Sequence, residues 1–125
     1  MSSPDWNLSR RAVACKGWQW LPGMLLDRNE RLVGIDEEGC PYGHSHTAGH
    51  RVWLGGDSHP NLSDPATLGC LLALVREAWG QGVYLLPDGG WYVKGARLQD
   101  GVSIGLGICA TSEAEALVAA LEAAQ

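Results

Sequence analysis

The sequence predicts an α+β fold: an antiparallel sheet of about five to six strands packed against two main helices, in the order α-β-β-β-α-β-β-β-α. Three observations predict it. Leu68, Leu71, Leu72, Val75 and Trp79 form an apolar stripe at helical spacing in mid-chain. Two strand-like runs flank Pro87-Asp88-Gly89-Gly90, which carries the Asp-Gly hairpin signature. An Ala-rich segment with capping-box spacing lies at its end. Strands joined by hairpins pair antiparallel, and both clear helices are expected on one face of the sheet.

The elements follow in order. Ser3-Pro4-Asp5 suits a helix start, with Pro4 at the first helical position, and the helix runs to Lys16 with Gly17 after it. Gly17 to Leu21 reads as a strand whose alternation puts Trp18 and Trp20 on one face. Pro22-Gly23 breaks it, and Met24 to Leu26 resumes it. Residues 27–30 form a turn into a partner strand, Arg31 to Asp36. Residues 37–50, rich in Gly, His and polar groups, read as a surface loop. Arg51 to Leu54 is a short strand, and residues 55–63 form a second surface loop.

Asp64 caps a helix over 65–79 with Pro65 in its first turn, and Gly80 ends it. Gly82 to Leu86 and Trp91 to Ala96 make the hairpin. Val102 to Cys109 is a further strand, where Gly105 and Gly107 point to a bulge or a close backbone approach. Ser112 and Glu115 have capping-box spacing, and Leu117, Leu121 and Ala124 supply the last stripe.

Composition bounds the function. With 125 residues and 46% hydrophobic content, residues 1–125 are expected to form a single domain with a true core. Phe is absent and Trp occurs six times, so indoles must supply the large aromatic volume. Net charge is −5, and residues 64–125 carry 3 basic against 7 acidic groups. No Lys/Arg cluster exists, which argues against generic nucleic-acid binding. No apolar run approaches the roughly 18 residues of a membrane span, and the opening residues lack a secretory signal. A cytoplasmic location is therefore expected. Cys15, Cys40, Cys70 and Cys109 lie far apart and read as free thiols, with Cys70 and Cys109 as small core residues.

A helix followed by Gly17-Trp18-Gln19-Trp20, a Pro/Asp-capped middle helix, a Trp-containing hairpin, and a strand running into Thr111-Ser112-Glu113-Ala114-Glu115-Ala116-Leu117 resembles the phage ABA sandwich domain. The resemblance covers most of the chain apart from residues 37–60, and the last motif is offset by one residue. It implies a phage or prophage origin, hence residence in an infected bacterial host, and assigns no catalytic residue.

Three clusters carry chemistry. Cys40, His44, His46 and His50 supply one thiol and three imidazoles, a donor set able to hold zinc, although their spacing matches no familiar finger or ribbon. The alternative is a solvated Gly/His-rich loop with no cofactor. Asp57, Ser58 and His59 adjoin one another, but catalytic triads assemble from residues distant in sequence, so a turn before Asp64 is the better reading. Trp18, Trp20, Arg51, Trp53, Tyr92, Lys94 and Arg97 could line a pocket in which aromatic faces stack on a nucleobase and cations meet phosphate. Against this, most indoles are expected in the core. Trp91 and Tyr92 must point to opposite faces of their strand, so at least one points outward.

No glycine-rich phosphate loop, paired-carboxylate motif or convincing nucleophile appears, so the expectation is a binding protein and not an enzyme. The leading expectation is a phage accessory protein that sequesters a small host nucleotide signal in a Trp/Arg/His-lined pocket, possible also as a homo-oligomer. The alternatives are an acidic inhibitor of a host defence nuclease, a metal-stabilised structural module on the Cys/His cluster, and a small metal-dependent hydrolase with Glu37 or Asp57 as base.

Overall fold

A computed structural model describes residues 6–26, 30–44, 51–53, 59–80, 82–87 and 89–124; for residues 44, 51–53 and 97–99 the description covers the backbone alone. The elements are α1 (Trp6–Ala14), β1 (Leu32–Ile35), β2 (Pro41–His44), β3 (Arg51–Trp53), α2 (Pro65–Trp79), β4 (Tyr84–Pro87), β5 (Trp91–Gln99), β6 (Val102–Ala110) and α3 (Glu113–Ala123). The α+β class is the one the sequence predicts, and the elements from α2 onward follow in the expected order, but the three strands before α2 are not all the predicted ones. The strands divide between two three-stranded antiparallel sheets, β1-β2-β3 and β4-β5-β6, and do not form one sheet of five to six.

The first half of the chain departs from expectation in two places. Gly17 to Leu21 forms no strand, whereas the segment to Leu26 meets its expected partner through the bridge Leu25↔Arg31 and the bonds from the Gly23 N–H to the Leu32 carbonyl and from the Leu32 N–H to the Met24 carbonyl, both 2.8 Å, and Leu26 bridges Pro60. Here Trp18 and Trp20 meet edge to face, with ring centroids 5.3 Å apart, and pack onto the core. The second departure is β2, which forms inside the stretch 37–50 expected as loop. Asp36 makes it possible: its Oδ1 accepts from the backbone N–H groups of Glu38 (2.9 Å) and Cys40 (2.8 Å). Gly39, at φ +83°, completes the reversal into β2.

The middle helix spans the residues its periodicity predicts. The Asp64 carboxylate accepts from the Thr67 N–H (3.0 Å), and Pro65 fills the first position, where no N–H is needed. Leu71, Leu74, Val75 and Trp79 are buried, while Leu68 and Leu72 are half-buried against the core. The buried face is thus broader than the predicted stripe, because α2 packs against both α3 and β5.

At α3 the Ser112 hydroxyl accepts from the Glu115 N–H (3.1 Å), half of the expected capping box. The Glu115 carboxylate accepts instead from the Thr111 hydroxyl (3.1 Å). The Trp79 indole N–H donates to the Ala120 carbonyl at 2.9 Å, tying α2 to α3 inside the core. Arg11 of α1 pairs with Glu122 of α3. One apolar cluster joins α1, α2 and α3 to Met24, Leu32 and Leu62 and to Val93 and Leu106 of the second sheet.

Candidate functional site

The second sheet offers the clearest candidate surface. Its β5 and β6 pair without interruption from Trp91↔Ala110 to Gln99↔Val102. The turn between them is Asp100-Gly101, with φ of +54° and +77°, the mirror-image geometry that matches strand twist. Because side chains alternate, one face of the sheet takes Leu85, Trp91, Val93, Ile104, Leu106, Ile108 and Ala110 onto the core. α3 packs on this face against both β5 and β6, and α2 packs on it against β5.

The opposite face is open. It carries Tyr84 and Leu86 of β4, Tyr92 and Lys94 of β5, and Gly105, Gly107 and Cys109 of β6. Tyr84 and Leu86 are 40% and 41% exposed. In register, Tyr84 stands opposite Lys94 and Leu86 opposite Tyr92. Across β6, Tyr92 faces Cys109 and Lys94 faces Gly107.

Gly107 has a particular role. A Cβ there would lie 2.9 Å from the Tyr92 hydroxyl oxygen, so the missing side chain lets the phenol lean across the strand. The expected signature of interior glycine resolves as this close approach; the unbroken register excludes a bulge. Gly105 has no atom within 4 Å of where a Cβ would stand, leaving a flat floor beside the aromatic row.

Electrostatically the face is simple. Lys94 is exposed and forms no ion pair among the described residues. No acidic side chain shares this face within the paired register. A free ammonium therefore sits on a face that also presents two phenol rings.

The predicted ligand-binding residues fall into separate groups. Trp18 and Trp20 are half-buried partners of each other on the core. The recess beside them, lined by Gly17, Gln19, Leu74, Glu77 and Ala78, holds about 120 Å³. Pockets for drug-sized ligands run to roughly 300–1,000 Å³. The Trp18 indole nitrogen is buried without a hydrogen-bond partner among the described residues. Tyr92 and Lys94 are brought together on the open face. Arg97 continues β5 in register opposite Ile104. Arg51 and Trp53 lie in the first sheet, opposite His44 and Tyr42. Trp91 joins the core and Tyr92 points outward, as alternation requires.

Of the Cys/His set, Cys40 is an exposed free thiol just before β2 and His44 ends that strand. His46 and His50 lie outside the described residues, as do Asp57 and Ser58. Among the described residues no group of three or more His, Cys, Asp or Glu is placed to hold a metal. Burial pushes the thiols of Cys15 and Cys70 up, which keeps them neutral and suits packing. Cys109 is not a core residue: it is exposed on the open face. The apolar run of β6 hides this, because its outward positions hold glycine and cysteine where polar residues would reveal the alternation.

Tyr84 and Leu86 were not among the sequence candidates. The signal was present in the alternation of Val83 and Leu85 (inward) with Tyr84 and Leu86 (outward). Four apolar residues in succession masked it.

No protein-family model, no curated protein and no solved structure matches the chain. No helix among the described residues is long and apolar enough to cross a membrane.

Proposed function

We propose that this protein is a non-catalytic binder that captures a small nucleotide-type ligand on the open face of the β4-β5-β6 sheet. The observation that carries the reading is Lys94, without an ion pair among the described residues, set opposite Tyr84 and two residues from Tyr92 on a face left open at Gly105. Phenol faces stack on a nucleobase at about 1–3 kcal/mol per base. Lys94 supplies the charge for a phosphate. Gly105, with no atom within 4 Å of where a Cβ would stand, leaves room for a flat ring, and Gly107 lets the Tyr92 phenol lie across the strand. The residues gathered there include no nucleophile paired with a base, which favours capture over turnover.

The resemblance of the Gly17-Trp18-Gln19-Trp20 region and the final helix to small phage proteins supplies a setting: an accessory protein that sequesters a nucleotide signal of host defence. A capturing protein needs only affinity and abundance, which suits an open, shallow face.

Isothermal titration against cyclic oligonucleotides and ADP-ribose derivatives tests this. Binding to the wild-type chain is expected for at least one member. Tyr92→Ala should weaken it by about 1–3 kcal/mol, or roughly 5- to 150-fold. Silence of the wild-type protein across the panel removes the reading.

A further inference from the structure

The two edges of the second sheet differ in kind. β4 is four residues long and ends in Pro87, both of which discourage another strand from pairing. β6 is nine residues long, Val-Ser-Ile-Gly-Leu-Gly-Ile-Cys-Ala, with no proline and no charge. It carries none of the devices that blunt an exposed edge.

The direction of its free groups follows from the turn. A two-residue loop makes Gln99 and Val102 a hydrogen-bonded pair. Ser103, Gly105, Gly107 and Cys109 therefore direct their N–H and C=O groups away from β5. Among the described residues nothing bonds to them.

We propose that β6 pairs antiparallel with β6 of a second copy of this chain, joining two sheets into one of six strands. The strand is complementary to itself. Full overlap about a two-fold axis at Leu106 pairs Val102 with the partner's Ala110 and Ile104 with the partner's Ile108. The same register pairs Leu106 with the partner's Leu106 on the core side. On the open side it sets Gly105 against the partner's Gly107 and Ser103 against the partner's Cys109. Apolar meets apolar, small meets small, and no like charges oppose each other although each chain carries −5. Val102, at 62% the most exposed large apolar side chain among those described, gains a neighbour. A two-fold pairing also places the glycine floors of both copies side by side between their Tyr92 and Lys94 rows.

Sedimentation of the nucleotide-free chain tests this independently of any ligand. The wild-type protein is expected at twice its 13.4 kDa mass. Gly105→Pro removes one outward N–H per copy at a position open enough for the ring, and should give a folded monomer with an unchanged circular dichroism spectrum. Should that variant fail to fold, Gly105→Lys carries the same test, since an edge lysine opposes pairing without removing a backbone bond. Register has its own readout. Hydrogen-bonded partners lie about 5.5 Å apart at Cα, within disulfide range. Ser103→Cys should therefore yield a covalent dimer on oxidation, whereas wild type should not. A monomeric wild-type chain, a dimer indifferent to both Gly105 variants, or a Ser103→Cys protein that fails to cross-link overturns the proposal.

Discussion

Asp64 shows how much one side chain does in this fold. Its Oδ2 caps α2 through the Thr67 N–H and hydroxyl, both at 3.0 Å. Both carboxylate oxygens accept from Arg31, at 3.1 and 3.2 Å. Thr67 in turn accepts from the Leu25 N–H at 2.8 Å. One acid therefore ties α2 to the segment that leads into β1. The hydrogen bonds from Arg31 hold its carboxyl below the usual aspartate range; those from Thr67 help and partial burial opposes. The folded-state pKa is lower than the unfolded one. Its contribution is therefore complete above the ordinary aspartate value and is lost as pH falls through the lowered one. Asp64→Ala is expected to cost about 0.5–2 kcal/mol near neutral pH as a lost helix cap. The variant should also show a shallower acid limb in a plot of unfolding free energy against pH. An acid limb identical to wild type would contradict this role. On the open face, Lys94→Ala should weaken the proposed nucleotide binding while leaving thermal stability within about 0.5 kcal/mol, because the exposed ammonium forms no ion pair among the described residues.

Among the elements, α2 and the two capped helix starts were the most legible in the sequence, because Asp64-Pro65 and Ser112 to Glu115 are local signals that packing did not override. The β4-β5 hairpin and β6 were legible for the same reason. The first sheet was less so. A strand at Pro41–His44 depends on an aspartate-stabilised turn at Asp36 and on pairing with Arg51–Trp53. Neither leaves a hydrophobic period in a Gly- and His-rich stretch. Gly17 to Leu21 erred in the opposite way: its alternation is real, yet the indoles turn toward each other and the helices. The α2–α3 contact carries its own prediction. Trp79→Phe removes the bond to the Ala120 carbonyl and part of a buried ring, and should cost about 2–4 kcal/mol. Urea unfolding with an unchanged m-value would measure it. A loss under about 1 kcal/mol would mean that the bond and the packing do little to hold the two helices together.

For the whole molecule, α2 and α3 pack on one side of the second sheet, and no other described element packs on the opposite side. Its tyrosines and its single lysine are spared from the core for that reason. The sequence supplied two of these residues, Tyr92 and Lys94, but grouped them with indoles that the fold sends elsewhere; alternation along a strand can be read locally, whereas the element that covers each face cannot. Binding there should depend little on salt. With one cation per face, raising salt from 0.1 to 1 M, where the Debye length shrinks from about 10 to 3 Å, should cost no more than about tenfold in affinity. A steeper loss in titrations across that range would point to a more extensively charged surface.

The measurement that bears most directly on the proposed capture site is an amide and indole NMR titration with the tightest-binding nucleotide. Signals from Tyr84, Leu86, Tyr92, Lys94 and Gly107 should shift together, while the indole N–H signals of Trp18 and Trp20 stay in place. Movement of those indoles with the sheet residues unmoved would contradict the assignment and return the site to the helix side.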